Sequence, residues 1–234
     1  MQKLLQGILN FRRNVAPGYA ETFAKLALGQ SPDTLLIACS DSRVVPNLFA
    51  STEPGDMFVL RNVANLVPPY DDSRPDTGTE SEGAAIEFSV RTLGISDIIV
   101  CGHSECGGMQ ALMRGREQIP ARNLRAWLAN GDRSLFRYRA GERASPEPDA
   151  VNQLSQLNVL QQMDHLATYP VIREKMDAGK LRLHGWWFEI STTIVHAWDP
   201  LENRFVPIDE MEAERIMQRL HAESSGGPQA SGSR

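Results

Sequence analysis

The chain has 234 residues, 41% of them hydrophobic and 23% charged, with a formal net charge of −5. Those proportions are those of a soluble globular protein and exclude a basic nucleic-acid footprint; with no apolar run near ~18 residues, they exclude a membrane span as well. Three cysteines exclude a disulfide framework and suit a reducing compartment, and Met1–Arg13 lacks the uninterrupted apolar block of a secretory signal, so a cytoplasmic location is expected.

In chain order, Leu4, Leu5, Ile8 and Leu9 recur at helical spacing, and a second helical stretch, Tyr19–Leu28, ends in Gly29. Thr34–Cys39 is a short continuous apolar run of the kind a buried parallel strand needs. Met57–Leu60 reads as a strand, Gly83–Leu93 as a helix, Asp97–Cys101 as a strand and Gly107–Met113 as a helix. This alternation predicts an α/β fold with a mainly parallel central sheet flanked by helices. Leu135–Ala150 lacks periodicity and is expected to be a solvated loop. Val151, Leu154, Leu157, Leu160, Met163 and Leu166 follow at intervals of three, so their helix should meet protein on more than one side. Leu181–Ile190 and Thr192–Trp198 are expected to pair as late strands, and Asp209–Glu223 to form a last amphipathic helix. The chain is therefore read as one domain over residues 1–223, followed by a flexible tail, Ser224–Arg234.

All three cysteines lie in two segments, Cys39-Ser40-Asp41-Ser42-Arg43 and Cys101-Gly102-His103-Ser104-Glu105-Cys106-Gly107-Gly108, each directly after or at the end of a predicted buried strand. In open α/β sheets, ligands and catalytic groups collect outside the carboxyl ends of strands. If the two strands are close, Cys39, His103 and Cys106 converge as a zinc set with a fourth position open. Two thiolates neutralise the ion and should weaken its Lewis acidity, which biases a bound water toward an alkaline pKa. Asp41 is then either an acceptor for that water or a ligand closing the site, and taken alone the Asp41–Arg43 pair is a local salt bridge. Cys101 reads as a small buried hydrophobe. Gly107-Gly108 serves tight packing or presents amides to an anion. His165, His184, His196 and His221 have no ligand-spaced partners and read as packing or surface residues. There is no Gly-x-Gly-x-x-Gly fingerprint for a zinc dehydrogenase and no Cys-x-x-Cys for thiol redox work.

At these segments the sequence resembles the β-class carbonic anhydrases. It carries both a Cys-x-Asp-x-Arg segment, Cys39–Arg43, and a His-x-x-Cys-Gly segment, His103–Gly107. The likeness continues through Pro54-Gly55-Asp56, Arg61–Val67 and Leu183–Trp186, over roughly Met1–Val206, and Val67-Pro68-Pro69-Tyr70 suggests the plant-like branch. The resemblance implies one Zn2+ per chain on Cys39, His103 and Cys106, with Asp41 and Arg43 gating the fourth position. It implies a mostly apolar substrate pocket at a dimer interface, lined by Gln30, Phe58, Val63, Phe88 and Gly107, with N-terminal helices packed on a partner subunit. The implied reaction is reversible hydration of carbon dioxide to bicarbonate by a zinc-bound hydroxide. A homodimer or larger homo-oligomer is expected, in the cytoplasm or in a carbon-fixing compartment. Leu36 stands where the branch with a non-catalytic bicarbonate site carries Trp, so that site is expected to be absent. Two alternatives share the scaffold: a carbonyl sulfide or carbon disulfide hydrolase, for which the long Asp71–Glu82 loop is the feature to watch, and a catalytically silent scaffold relative.

Overall fold

In the computed structural model the six strands form one sheet in the order β2-β1-β3-β4-β5-β6. The structure describes residues 1–73, 81–146 and 149–225, with side chains described up to 222; most of the expected Asp71–Glu82 loop and nearly all of the expected tail lie outside the described residues. The strands are β1 (Thr34–Cys39), β2 (Met57–Asn62), β3 (Asp97–His103), β4 (Arg182–Glu189), β5 (Ile194–Asp199) and β6 (Arg204–Pro207). The first four in spatial order run parallel, and β5 and β6 extend the sheet antiparallel.

The central strands β1 and β3 are buried on both faces, which is why β1 reads as an unbroken apolar run. Leu35 and Ile37, with Ile98 and Val100 of β3, enter a core that includes Leu157, Leu166 and Trp187. The residues between them, Leu36, Ala38, Ile99 and Cys101, point to the other face and pack with Val44 and Phe188. This alternation is the two-residue period of a strand satisfied by two separate cores.

Among the described residues ten α-helices surround the sheet. The first two, α1 (Gln2–Asn10) and α2 (Ala16–Leu26), are joined by a wide turn at Phe11–Val15. A single turn, α3 (Pro46–Phe49), follows β1. Next come α4 (Ser81–Glu87), which continues as a wider helix to Leu93, and α5 (Gly107–Arg114), directly after β3. After these stand α6 (Arg122–Trp127), α7 (Asp132–Arg139), α8 (Ala150–Leu166), α9 (Pro170–Asp177) and α10 (Glu210–Ser225).

Helix α8 lies against β3 and β4, and its residues are buried nearly all round, as its drifting apolar repeat requires. Gly102 permits the approach: a Cβ there would lie 2.7 Å from Val159 Cγ2. No residue of α1 or α2 is buried, and Leu4, Leu5, Ile8 and Leu9 are 65%, 54%, 61% and 50% exposed.

Two segments differ from expectation. The stretch expected as a solvated loop from Leu135 begins inside α7, where Ser134 and Leu135 are buried, and Ala144 beyond it is fully buried. Its charged residues face outward while Leu135 packs with Leu128 and Leu154, so a short amphipathic helix is hidden by composition. Strand β6 was not expected. Four residues with charge and proline at the ends carry too little pattern, and its two central residues, Phe205 and Val206, alone supply the buried surface.

Candidate metal centre

Strands β1 and β3 are adjacent and parallel, so their carboxyl ends lie side by side. Cys39 is the last residue of β1 and His103 the last of β3; Cys106 caps the start of α5. The step from strand to helix is made by Glu105, whose φ of 56° is left-handed. Its amide is held by Asn152 Oδ1 at 2.8 Å. One ligand atom from each of Cys39, His103 and Cys106 lies within 4.8 Å of the others, and among the described residues this is the one such group.

The donor set fits a zinc ion. The His103 ring is fully buried, and its Nδ1–H donates to the Ser104 carbonyl at 2.8 Å, which leaves the lone pair on Nε2. Nε2 itself has no hydrogen-bond partner among the described residues. A buried imidazole nitrogen without a partner, beside two thiols, is costly unless a cation completes it. One of the two thiols is already biased toward ionisation. A hydrogen bond from Cys106 holds the Cys39 thiol well below the ordinary cysteine range, against the burial that raises it. The resulting Cys39 thiolate and burial push Cys106 well up, against the pull of the Met109 and Gly108 amides at the head of α5. One proton thus remains on the pair, and binding a divalent cation displaces it. Cys101, fully buried and pushed up to about 12 chiefly by burial, is inert packing.

Asp41 and Arg43 stand beside this group. Arg43 grips the carboxylate with two side-chain bonds, Nε to Oδ1 at 2.9 Å and Nη2 to Oδ2 at 2.7 Å, and its backbone amide adds a third at 3.0 Å. The guanidinium holds the Asp41 carboxyl well below the usual carboxylate range, against a raising contribution from burial. Arg43 Nη2 also donates to the Glu105 carbonyl at 3.1 Å, tying the β1 segment to the β3 segment.

Arg61, to which the sequence reading gave no separate role, supports the first ligand. Its Nη2 donates to the carbonyls of Cys39 at 2.8 Å and Asp41 at 2.7 Å. The segment after it turns through two left-handed residues, Ala64 at φ 66° and Asn65 at φ 45°. That turn aims the Ala64 amide at Cys39 Sγ, 3.3 Å away. A Cβ at Gly108 would come within 2.6 Å of the Ala64 Cβ, so α5 reaches this segment only with glycine there. Backbone amides leave no trace in a residue alphabet, and the one available signal was the run Arg61–Asn65 itself.

The expected pocket residues fall into two groups. Val63 and Gly107 adjoin the ligands: Val63 precedes Ala64, and Gly107 follows Cys106. Phe58, Phe88 and Gln30 do not. Phe58 pairs in register with Leu35, four residues before Cys39 and about 13 Å back along the strand. Phe88 packs on Phe58, with ring centroids 5.8 Å apart. Gln30 is exposed and precedes β1 by four residues, on the side of its amino end.

A family model described as "Carbonic anhydrase" matches residues 34–195. The curated carbonic anhydrase of Pseudomonas aeruginosa is 39% identical over 90% of this chain and 93% of its own length. Among solved structures, the β-carbonic anhydrase CcaA superposes with a TM-score of 0.80 at 36% identity, covering 89% of this chain and 99% of that one. A tetrameric β-carbonic anhydrase of Sordaria macrospora gives 0.70 at 33% identity, covering 84% and 95%. With the six-stranded sheet and the Cys, His and Cys group in view, these matches mean that the chain belongs to the β-class carbonic anhydrases.

Proposed function

We propose that this chain catalyses the reversible hydration of carbon dioxide to bicarbonate and a proton, with one zinc ion per chain held by Cys39, His103 and Cys106. The observation that carries the reading is the buried, unpartnered Nε2 of His103 beside two thiols. A zinc ion held there would supply its chemistry by drawing down the pKa of water bound to it.

The chain's own residues do the rest. Arg43 occupies both oxygens of Asp41, which keeps the carboxylate out of the fourth position and leaves it a lone pair as acceptor. Because Asp41 sits so far below the ordinary range, it stays ionised at neutral pH and orients a donor without storing its proton. Gly107, at the head of α5, offers a backbone amide to the anionic product. Val63 supplies one apolar wall, and its carbonyl is fixed by Trp127 Nε1 at 2.8 Å. In this reading Gln30, Phe58 and Phe88 reach the pocket from a second copy, so the working unit is at least a homodimer. The apolar rings exclude water and favour an uncharged linear gas, while Gln30 hydrogen-bonds bicarbonate. Among the described residues no helix is long and apolar enough to cross a membrane. The reading places the enzyme in the cytoplasm, where its three free thiols stay reduced.

The test is stopped-flow carbon dioxide hydration on purified protein, with zinc quantified in the same sample. About one zinc per chain with rapid hydration that rises toward alkaline pH supports the reading. One zinc without hydration, but with turnover of carbonyl sulfide or carbon disulfide, replaces it with the sulfur-substrate hydrolase. No zinc in folded protein handled without chelator overturns it in favour of a silent relative.

A further inference from the structure

Buried helix α8 is polar along one stripe. Asn152, Ser155, Asn158, Gln162 and His165 recur at steps of three, three, four and three, which is one face of a helix. Each bonds a segment that bears or flanks the ligands. Asn152 Oδ1 accepts from the Glu105 amide at 2.8 Å, and Ser155 Oγ donates to the His103 carbonyl at 2.7 Å. Asn158 Nδ2 donates to the Ala64 carbonyl at 3.1 Å. Gln162 Oε1 accepts from the Val67 amide at 2.8 Å, and His165 Nδ1 donates to the Val67 carbonyl at 2.7 Å. Buried polar groups are costly unless paired, and a paired set fixes one arrangement of what it touches.

Asn158 stands at the centre. Its Oδ1 accepts from Ser134 Oγ and from Gln162 Nε2, each at 3.0 Å, which leaves its amide nitrogen aimed at Ala64 in a fixed orientation. Ala64 is held left-handed at φ 66°, a conformation a residue with a Cβ keeps only when its surroundings over-determine it. Its carbonyl is taken by Asn158, and its amide points at Cys39 Sγ from 3.3 Å.

We infer that Asn158 is a positioning residue of the metal centre: by holding the Ala64 carbonyl it directs the Ala64 amide onto Cys39 Sγ, and so limits how much charge that thiolate gives to a bound metal. A hydrogen bond to a thiolate stabilises its lone pairs and weakens it as a donor. Two thiolates otherwise blunt the ion's polarising power, and the Ala64 amide offsets part of that loss. The inference rests on the metal reading above, and its test separates the two.

Cobalt(II) is the probe. In the cobalt-loaded wild type a thiolate-to-cobalt charge-transfer band is expected. In Asn158→Leu that band moves to lower energy as the Cys39 sulfur becomes a stronger donor. The control is Gln153→Leu, a buried α8 residue that bonds the Ala144–Ser145 turn and no ligand segment. It should lower the melting temperature and leave the band in place. A band that stays put in a folded, cobalt-loaded Asn158→Leu overturns the inference alone. A wild type that takes up no cobalt overturns the metal reading and the inference together. Should Asn158→Leu fail to fold, the cadmium-113-loaded wild type decides: scalar coupling from the Ala64 amide proton to cadmium supports the bond, and its absence removes it.

Discussion

Asp41 is the residue whose chemistry is most constrained by its neighbours. All three hydrogen bonds that its carboxylate accepts come from Arg43, and its proton affinity is pulled far below that of a free carboxylate. It is no metal ligand in the proposed arrangement, so removing it leaves the three donors standing. Asp41→Ala is expected to keep about one zinc per chain while hydration falls ~10²-fold, the scale of losing one positioned acceptor. Metal analysis beside stopped flow reads both numbers. Loss of zinc in that variant would show Asp41 holding the ion, and full activity would remove it from the mechanism.

At the scale of elements, β3 and β4 are tied at their amino ends by charge. Arg182 grips Asp97 through Nε and Nη2, each at 2.8 Å, and His184 Nε2 meets the same carboxylate at 2.8 Å. Burial alone would raise the Asp97 pKa; bonds from His184, Arg182 and Ser96 outweigh it and hold the carboxyl well below its usual range. The folded state therefore binds this proton more weakly than the unfolded chain does. The stabilisation is complete above the unfolded carboxylate value of about 3.9 and is lost as pH falls through the lower folded value. Asp97→Asn is expected to cost about 1–3 kcal/mol at pH 7 by urea unfolding. The gap to wild type should narrow below pH 4, and a gap independent of pH would refute the assignment. The sequence exposed one side of such elements better than the other. Strand β1 was legible residue for residue because both of its faces are buried and every position after Thr34 is apolar. Helix α8 was legible by its apolar repeat, yet its polar stripe was not, because Asn, Ser and Gln acquire meaning only from the loops they bond. Segment α7 was lost for a related reason: one buried leucine and one buried serine do not make a period.

The whole molecule is two-ended. The ligands gather at the carboxyl ends of β1 and β3, while Phe58, Phe88 and Gln30 stand toward the amino ends. The ligand set was readable from spacing because its three members lie on neighbouring strand ends of one chain; the full pocket was not, because by this reading it spans two. A two-fold dimer that brings one copy's amino ends to the other's ligand end makes two complete pockets with one self-complementary surface. In the proposed dimer the exposed face of α1 supplies the adhesive. Burying what remains exposed of Leu4, Leu5, Ile8 and Leu9, all at least half exposed in the single chain, is worth about 3–7 kcal/mol per copy, and about twice that across a two-fold interface. That is comparable to the cost of association, so charge on this face should tip the balance. Leu5→Glu with Ile8→Glu is expected to give a folded monomer by sedimentation velocity. The monomer should retain zinc and lose ~10²-fold or more in hydration, because half of each pocket has left. A monomer with full activity would mean that one chain completes the site alone, and Gln30, Phe58 and Phe88 would then have no part in it.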